Sequence, residues 1–101
     1  MRASCDKICK DYQKLFRLFL SKNISVDDFL VVYFDHFKGE RRVLDDDLYD
    51  ILETAFGDAD SYTSDIELLA KNPDFYMDEM RLRERIKSAS IKIEGLLSRL
   101  R

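Results

Sequence analysis

Few side chains in this 101-residue sequence have both the types and the spacing that chemistry requires. Cys5 and Cys9 are four residues apart on a predicted helix, and His36 is the single histidine. A zinc site needs about four ligands, and a nucleophile needs a base beside it, which this spacing does not provide. We therefore expect two reduced thiols, an ordinary histidine, no metal and no cofactor.

Carboxylates are abundant, but their arrangement does not favour catalysis. Asp46 and Asp50 lie one turn apart on a predicted helix, which is typical of a solvated helix face. Glycine-rich phosphate loops, nucleophile elbows and Cys-x-x-Cys pairs are missing from the sequence. The sequence therefore predicts a protein that is not an enzyme.

The elements that must position these side chains are predicted to be helices. Three Gly and one Pro supply too few turn signals for an all-β fold, and no apolar run is long enough to span a membrane. Four helical patterns, at about 4–20, 25–38, 45–56 and 78–100, each carry apolar residues at i, i+3 and i+4 spacing. We expect an all-α, antiparallel four-helix bundle that forms a single domain over residues 1–101.

Local signals predict where these helices begin and end. Ser4 and Ser25 are candidate N-caps, whereas Gly39 and Gly57 are expected to end the second and third helices. The Asp- and Ser-rich stretch 58–65 is expected to form a turn, because such side chains bond to nearby backbone. A short helical turn is expected to follow at Ile66, Leu68 and Leu69.

The net charge of −3 conceals a very uneven distribution along the chain. Residues 43–70 carry nine acids and no Lys or Arg, whereas residues 1–42 and 71–101 each have a net charge of +3. Helix dipoles and turn formation account for about half of these acids. We therefore predict an acidic surface for a basic partner, with two tyrosines as aromatic anchors. The predicted contact residues are Asp45, Asp46, Asp47, Tyr49, Asp50, Glu53, Asp58, Asp60, Tyr62, Asp65 and Glu67.

The class of partner follows from this charge pattern. A basic concave surface is typical of a nuclease active site, which binds phosphates, and an acidic helix and loop can present carboxylates in their place. Direct binding of nucleic acid is not expected, because the basic residues of the last helix are interleaved with Glu. The sequence thus favours a protein partner.

Three segments resemble the colicin D-type immunity family, which includes immunity proteins of contact-dependent growth inhibition systems. These segments are Phe37–Arg42, Leu48–Phe56 and Asp58–Tyr62. The resemblance spans about residues 24–97. It implies a four-helix bundle that binds its cognate bacterial toxin, commonly a tRNA-cleaving ribonuclease, and blocks the active site with acidic residues. The positions carried over are Asp46, Asp47, Asp50, Asp58, Asp60 and Tyr62.

The principal prediction is a cytoplasmic bacteriocin immunity protein that binds a nuclease toxin as a monomer, with a dimer left open. Two alternatives also remain open. One is an acidic nucleic-acid mimic that binds a DNA-binding regulator. The other is a homodimeric adaptor or structural bundle whose exposed aromatic residues form a self-interface. Those residues are Tyr33, Tyr49, Tyr62, Phe75 and Tyr76.

Overall fold

The computed structural model describes residues 5–42 and 44–99 of the chain. The all-α prediction is confirmed, with four long helices and one short helix at the turn expected near residue 66. In the described part of the chain, no helix is both long and apolar enough to cross a membrane. The candidate N-cap Ser4 and residue Leu100 lie outside the described residues. The helices are α1 (Cys5–Leu20), α2 (Val26–Lys38), α3 (Asp46–Asp60), α4 (Ile66–Lys71) and α5 (Glu79–Arg99).

The four long helices form a ring, and each helix runs antiparallel to the two beside it. Between α2 and α3, the Tyr33 hydroxyl donates a hydrogen bond to the Leu52 carbonyl at 2.6 Å. The fifth helix packs against both α1 and α3, and the ion pair between Asp47 and Arg99 joins the start of α3 to the end of α5. The order around the bundle is therefore α1, α2, α3 and α5.

Aromatic rings fill the half of the core between α1 and α2. The rings of Phe19 and Phe29 stack at 4.3 Å, and those of Phe29 and Tyr33 stack at 5.5 Å with an interplanar angle of 6°. Phe16 packs against both Phe29 and Tyr33 in a tilted geometry. Aliphatic side chains from α3 and α5 complete the core. They include Leu48, Leu52, Leu82, Ile86 and Ile93, all wholly buried.

The prediction that Gly57 ends α3 is wrong. Its φ is not positive, and the helix continues through it to Asp60, where the backbone N–H of Ser61 bonds to the Gly57 carbonyl at 3.1 Å. The physical reason is that Ala59 lies on the buried face of α3, so core packing extends the helix by almost one turn. Asp58 and Asp60, expected in a loop, therefore lie in the last turn of α3.

A cluster of charged and polar side chains fastens the corner between α2 and α3 to α1. The Tyr12 hydroxyl donates to Glu40 Oε2 at 2.7 Å. Arg42 donates from Nε to Glu40 Oε1 and from Nη1 to Asp11 Oδ2, each at 2.7 Å. These hydrogen bonds from Arg42 lower the pKa of Glu40 to about 2, although burial acts in the opposite direction. Gly39 ends α2 beside this cluster, as predicted.

A second polar contact joins α1 to α5. Gln13 is the buried polar residue among those described. Its Nε2 donates to the Ser90 carbonyl at 3.0 Å and to Glu94 Oε1 at 2.8 Å, while the Ser90 hydroxyl donates to Gln13 Oε1 at 2.8 Å. Because a buried amide is costly when it is unpaired, this arrangement favours one axial register of α1 on α5.

Replacement of Glu40 by Gln is expected to lower the free energy of unfolding by roughly 2 kcal/mol at pH 7, because hydrogen bonds to a charged group are lost. The pKa of Glu40 is depressed to about 2 in the folded state, so its contribution is complete above pH 4.5 and is lost as the pH falls towards 2. Urea unfolding at several pH values measures the difference in the free energy of unfolding between wild type and Glu40→Gln. This difference should shrink to zero over that range. Glu84→Gln, at an exposed carboxylate of α5, is the control and should show no such difference.

Replacement of Gly57 by Ala is expected to stabilise the protein by about 0.5–1 kcal/mol, because glycine is unfavourable inside a helix. A Cβ built at this position has no atom within 4 Å. Gly95 in α5 has the same open surroundings, so Gly95→Ala is a matched control with the same expected gain. Urea unfolding measures both, and destabilisation by Gly57→Ala would contradict the description of α3 as continuous.

Candidate protein-interaction surface

Four acids form a line along the solvent-facing side of α3, which we call the acidic stripe: Asp46, Asp50, Glu53 and Asp60. The separations of four, three and seven residues place them on one face of a helix, opposite the buried side chains. The stripe extends for about 21 Å along the helix axis. All four residues are exposed, and none forms an ion pair with the described residues.

The stability of the bundle does not account for most of the acidic stripe. Asp46 lies in the first turn of α3, where the helix dipole favours a negative charge. Asp60 lies in the last turn, where the dipole disfavours it by about 0.3–1 kcal/mol, and no basic residue occupies that turn. Asp50 lies one turn from both Asp46 and Glu53, and like charges at this spacing repel.

Two of the predicted contact residues have structural roles as N-caps. The Asp45 carboxylate accepts a hydrogen bond from the Asp47 backbone N–H at 3.1 Å and begins α3. The Asp65 carboxylate accepts from the backbone N–H groups of Glu67 and Leu68 and begins α4. These two acids therefore occur where helix formation itself calls for them. Glu67 is exposed in the first turn of α4.

Two further acids lie beside basic residues of α5. Asp47 pairs with Arg99 at 3.1 Å. Asp58 is half-buried beside Arg85 and Lys92, with which it lines a small cavity of about 40 Å³. Burial raises the pKa of Asp58, and the positive charges of Arg85, Arg81 and Lys92 oppose that effect. Both carboxylates thus belong to the contact between α3 and α5.

The two predicted tyrosines occupy different environments. Tyr49 is exposed at the start of α3, where its ring lies 6.2 Å from that of Phe37. Tyr49, Phe37 and Phe56 line a groove of about 500 Å³ whose edge includes Asp46 of the acidic stripe. Tyr62 is half-buried after α3 and packs against the core. Tyr49 is therefore the more accessible of the two.

Carboxylates from separate parts of the sequence lie near Tyr62, and spacing along the chain does not reveal this arrangement. Burial raises the pKa of Tyr62, and the negative charges of Glu79, Asp27 and Asp78 add to the effect. The fold brings these carboxylates to one end of the bundle from the starts of α2 and α5. Asp27 is far from residues 43–70 in sequence, and it lies in the first turn of α2, where the helix dipole also favours an acid.

The histidine and the buried cysteine lie on α2 and α1, outside the acidic stripe. Within residues 5–42 and 44–99, no group of three His, Cys, Asp or Glu side chains could hold a metal ion. His36 is exposed, and its ring contacts that of Tyr12 edge to face at 4.7 Å. The Cys9 side chain is buried in the core.

The proposed self-interface of exposed aromatic residues is wrong for Tyr33. This ring is wholly buried in the aromatic stack, because the apolar face of α2 places it towards α1. Tyr62 and Tyr76 are half-buried, so Tyr49 and Phe75 are the exposed members of that set.

A small all-helical bundle with unpaired carboxylates along one exposed helix face is a fold suited to binding another protein. A family model described as bacterial self-protective colicin-like immunity matches residues 8–93, and the chain belongs to this family. The predicted family resemblance is thereby confirmed, and membership indicates a protein that neutralises a bacteriocin toxin. Comparisons with curated proteins and with solved structures give no significant match.

Replacement of Asp58 by Asn is expected to stabilise the protein at pH 7 by up to about 1 kcal/mol, because burial and the helix dipole both disfavour its charge. Since the pKa of Asp58 is raised in the folded state, this gain should disappear at low pH, where the carboxyl is protonated in both states. Asp47→Asn is the matched comparison and should lose about 0.3–1 kcal/mol. Urea unfolding at pH 7 and pH 3 measures both, and destabilisation by Asp58→Asn at pH 7 would contradict the assignment.

Proposed function

We propose that this chain neutralises a bacterial nuclease toxin, of the tRNA-cleaving class, by covering its basic active site with an acidic surface. Family membership supports a toxin as the partner. The acidic stripe supports a basic surface on that toxin. The observation that carries the proposal is that four exposed carboxylates on α3 form no ion pair with the described residues.

The structure of the stripe favours a site that normally holds phosphates. Carboxylates on one helix face are held at fixed separations by the backbone, so little conformational entropy is lost when they meet a row of cations. Complementary fields also accelerate encounter, towards ~10⁸–10⁹ M⁻¹s⁻¹ at low salt. Rapid association suits an inhibitor that must reach a toxin before the toxin reaches its substrate.

In this proposal the protein acts by binding alone, as a monomer in the cytoplasm of the cell that it protects. Tyr49, beside the groove at the start of α3, supplies an aromatic contact next to the stripe. The same electrostatics would suit a DNA-binding regulator, but family membership favours a toxin. Delivery of that toxin by a colicin or by a contact-dependent inhibition system is equally compatible with this surface.

Neutralisation of the acidic stripe tests the proposal. The quadruple variant Asp46→Asn, Asp50→Asn, Glu53→Gln and Asp60→Asn is expected to slow association with the toxin at least tenfold at low salt. It is also expected to flatten the dependence of affinity on salt concentration, because fewer charges remain to be screened. The probe is the toxin domain of the reading frame directly upstream, where a toxin gene is expected to precede its immunity gene. Biolayer interferometry at several salt concentrations measures both quantities.

A double variant, Asp35→Asn with Glu84→Gln, is the matched control, because it removes exposed carboxylates from α2 and α5. It should leave the association rate within about twofold of wild type, since exposed charges far from the interface are largely screened by salt. The quadruple variant should keep its unfolding midpoint, so that weakened binding reports on the interface. Unchanged affinity and unchanged salt dependence of the quadruple variant would contradict the assignment of the acidic stripe as the toxin-facing surface.

A further inference from the structure

The connection between α3 and α5, residues 61–78, is much longer than the bundle needs; we call it the α4 loop. Helix connections in bundles usually contain 2–8 residues. Here α3 ends and α5 begins at the same end of the bundle, so a short link would suffice. Two main-chain hydrogen bonds close the base of the loop, from Thr63 N–H to the Met77 carbonyl and from Met77 N–H to the Ser61 carbonyl, each at 3.0 Å.

The α4 loop displays apolar side chains instead of burying them. No residue of α4 is buried, and α4 makes little contact with the other helices. Ile66 is 80% exposed, Phe75 is 74% exposed, and Met80 just after the loop is 72% exposed. Core packing therefore does not explain these side chains, whereas large apolar residues held in water are typical of binding surfaces.

The segment that carries these apolar side chains also has a net negative charge. Residues 61–80 contain five acids and a single base, Lys71, for a net charge of −4. Asp27 and Asp28 in the first turn of α2, together with Asp60 of the acidic stripe, lie at the same end of the bundle. Among the described residues, one acid of segment 61–80 forms an ion pair: Glu79 pairs with Arg83.

We propose that the α4 loop anchors the cognate toxin, with Phe75 and Ile66 entering an apolar depression that is bordered by Lys and Arg side chains. This inference rests on the proposed function and names a second part of the interface. An aromatic ring that is enclosed on binding, with charges at its rim, is the usual composition of a binding hot spot.

The negative charge of the α4 loop favours a basic protein surface over a second copy of the chain or a lipid surface. A symmetric pairing with a second copy of the chain would bring one acidic rim against another, and like charges oppose such a contact. An anionic lipid surface would repel the same carboxylates. A basic protein surface complements both the apolar centre and the acidic rim.

The two parts of the interface make different contributions to binding. The acidic stripe acts at a distance, so it governs association and the effect of salt. Phe75 and Ile66 act only after contact, so they govern dissociation. The inference therefore predicts that the two kinds of substitution separate in a kinetic experiment.

The test is the double variant Phe75→Ala and Ile66→Ala, with the same toxin domain as the probe. We expect dissociation to accelerate about 100-fold, while association changes less than threefold. Val31→Ala with Ile91→Ala is the matched control, because these apolar residues are 69% and 62% exposed on α2 and α5. The control should dissociate at the wild-type rate. Circular dichroism should show wild-type folding of both variants.

The outcomes distinguish the inference from the proposed function. Wild-type dissociation of the Phe75 and Ile66 variant, combined with weakened binding of the acidic-stripe variant, overturns the inference and leaves the proposed function intact. Failure of the wild-type chain to bind the toxin domain or to protect cells that express it overturns both. Sedimentation could instead show that the wild-type chain is a dimer and that the Phe75 and Ile66 variant is a monomer. That result would assign the α4 loop to self-association and overturn the inference.

Discussion

The stack of aromatic rings between α1 and α2 is the interaction from which the rest of the arrangement follows. Phe16 and Phe19 of α1 pack against Phe29 and Tyr33 of α2, which favours one register of α2 on α1. The Tyr33 hydroxyl then bonds to the Leu52 carbonyl and fixes α3 against α2. Because the buried face of α3 is set by this contact, the opposite face, with the acidic stripe, must point to solvent.

The acids between residues 43 and 70 divide into two groups once the fold is known. Asp45, Asp47, Asp58 and Asp65 cap helices or face basic residues of α5, so helix formation and packing account for them. Most of the acidic stripe has no such account. A bundle that maximised its own stability would place basic residues in the last turn of α3, and none is present there. This conflict between stability and sequence is the physical basis for assigning the stripe to a partner.

Local signals predicted the fold, whereas distant contacts escaped prediction. The Ser25 cap and the Gly39 stop depend on neighbouring residues, and both are confirmed. The extension of α3 past Gly57 depends on burial of Ala59, which a local pattern cannot reveal. Glu40 meets Tyr12 across 28 residues of sequence, so its role at the α2–α3 corner was also invisible. For the same reason the stripe was predicted only as part of a longer acidic block, which contained structural acids as well.

The two main-chain hydrogen bonds that close the α4 loop separate recognition from folding. Backbone groups alone form this closure, so these two hydrogen bonds do not depend on the side chains between residues 63 and 77. The sequence and length of that segment can therefore change without disturbing the aromatic core or the Glu40 cluster at the other end of the bundle. A bundle of this design can evolve towards a new toxin by altering one exposed segment, while its folding determinants are inherited unchanged.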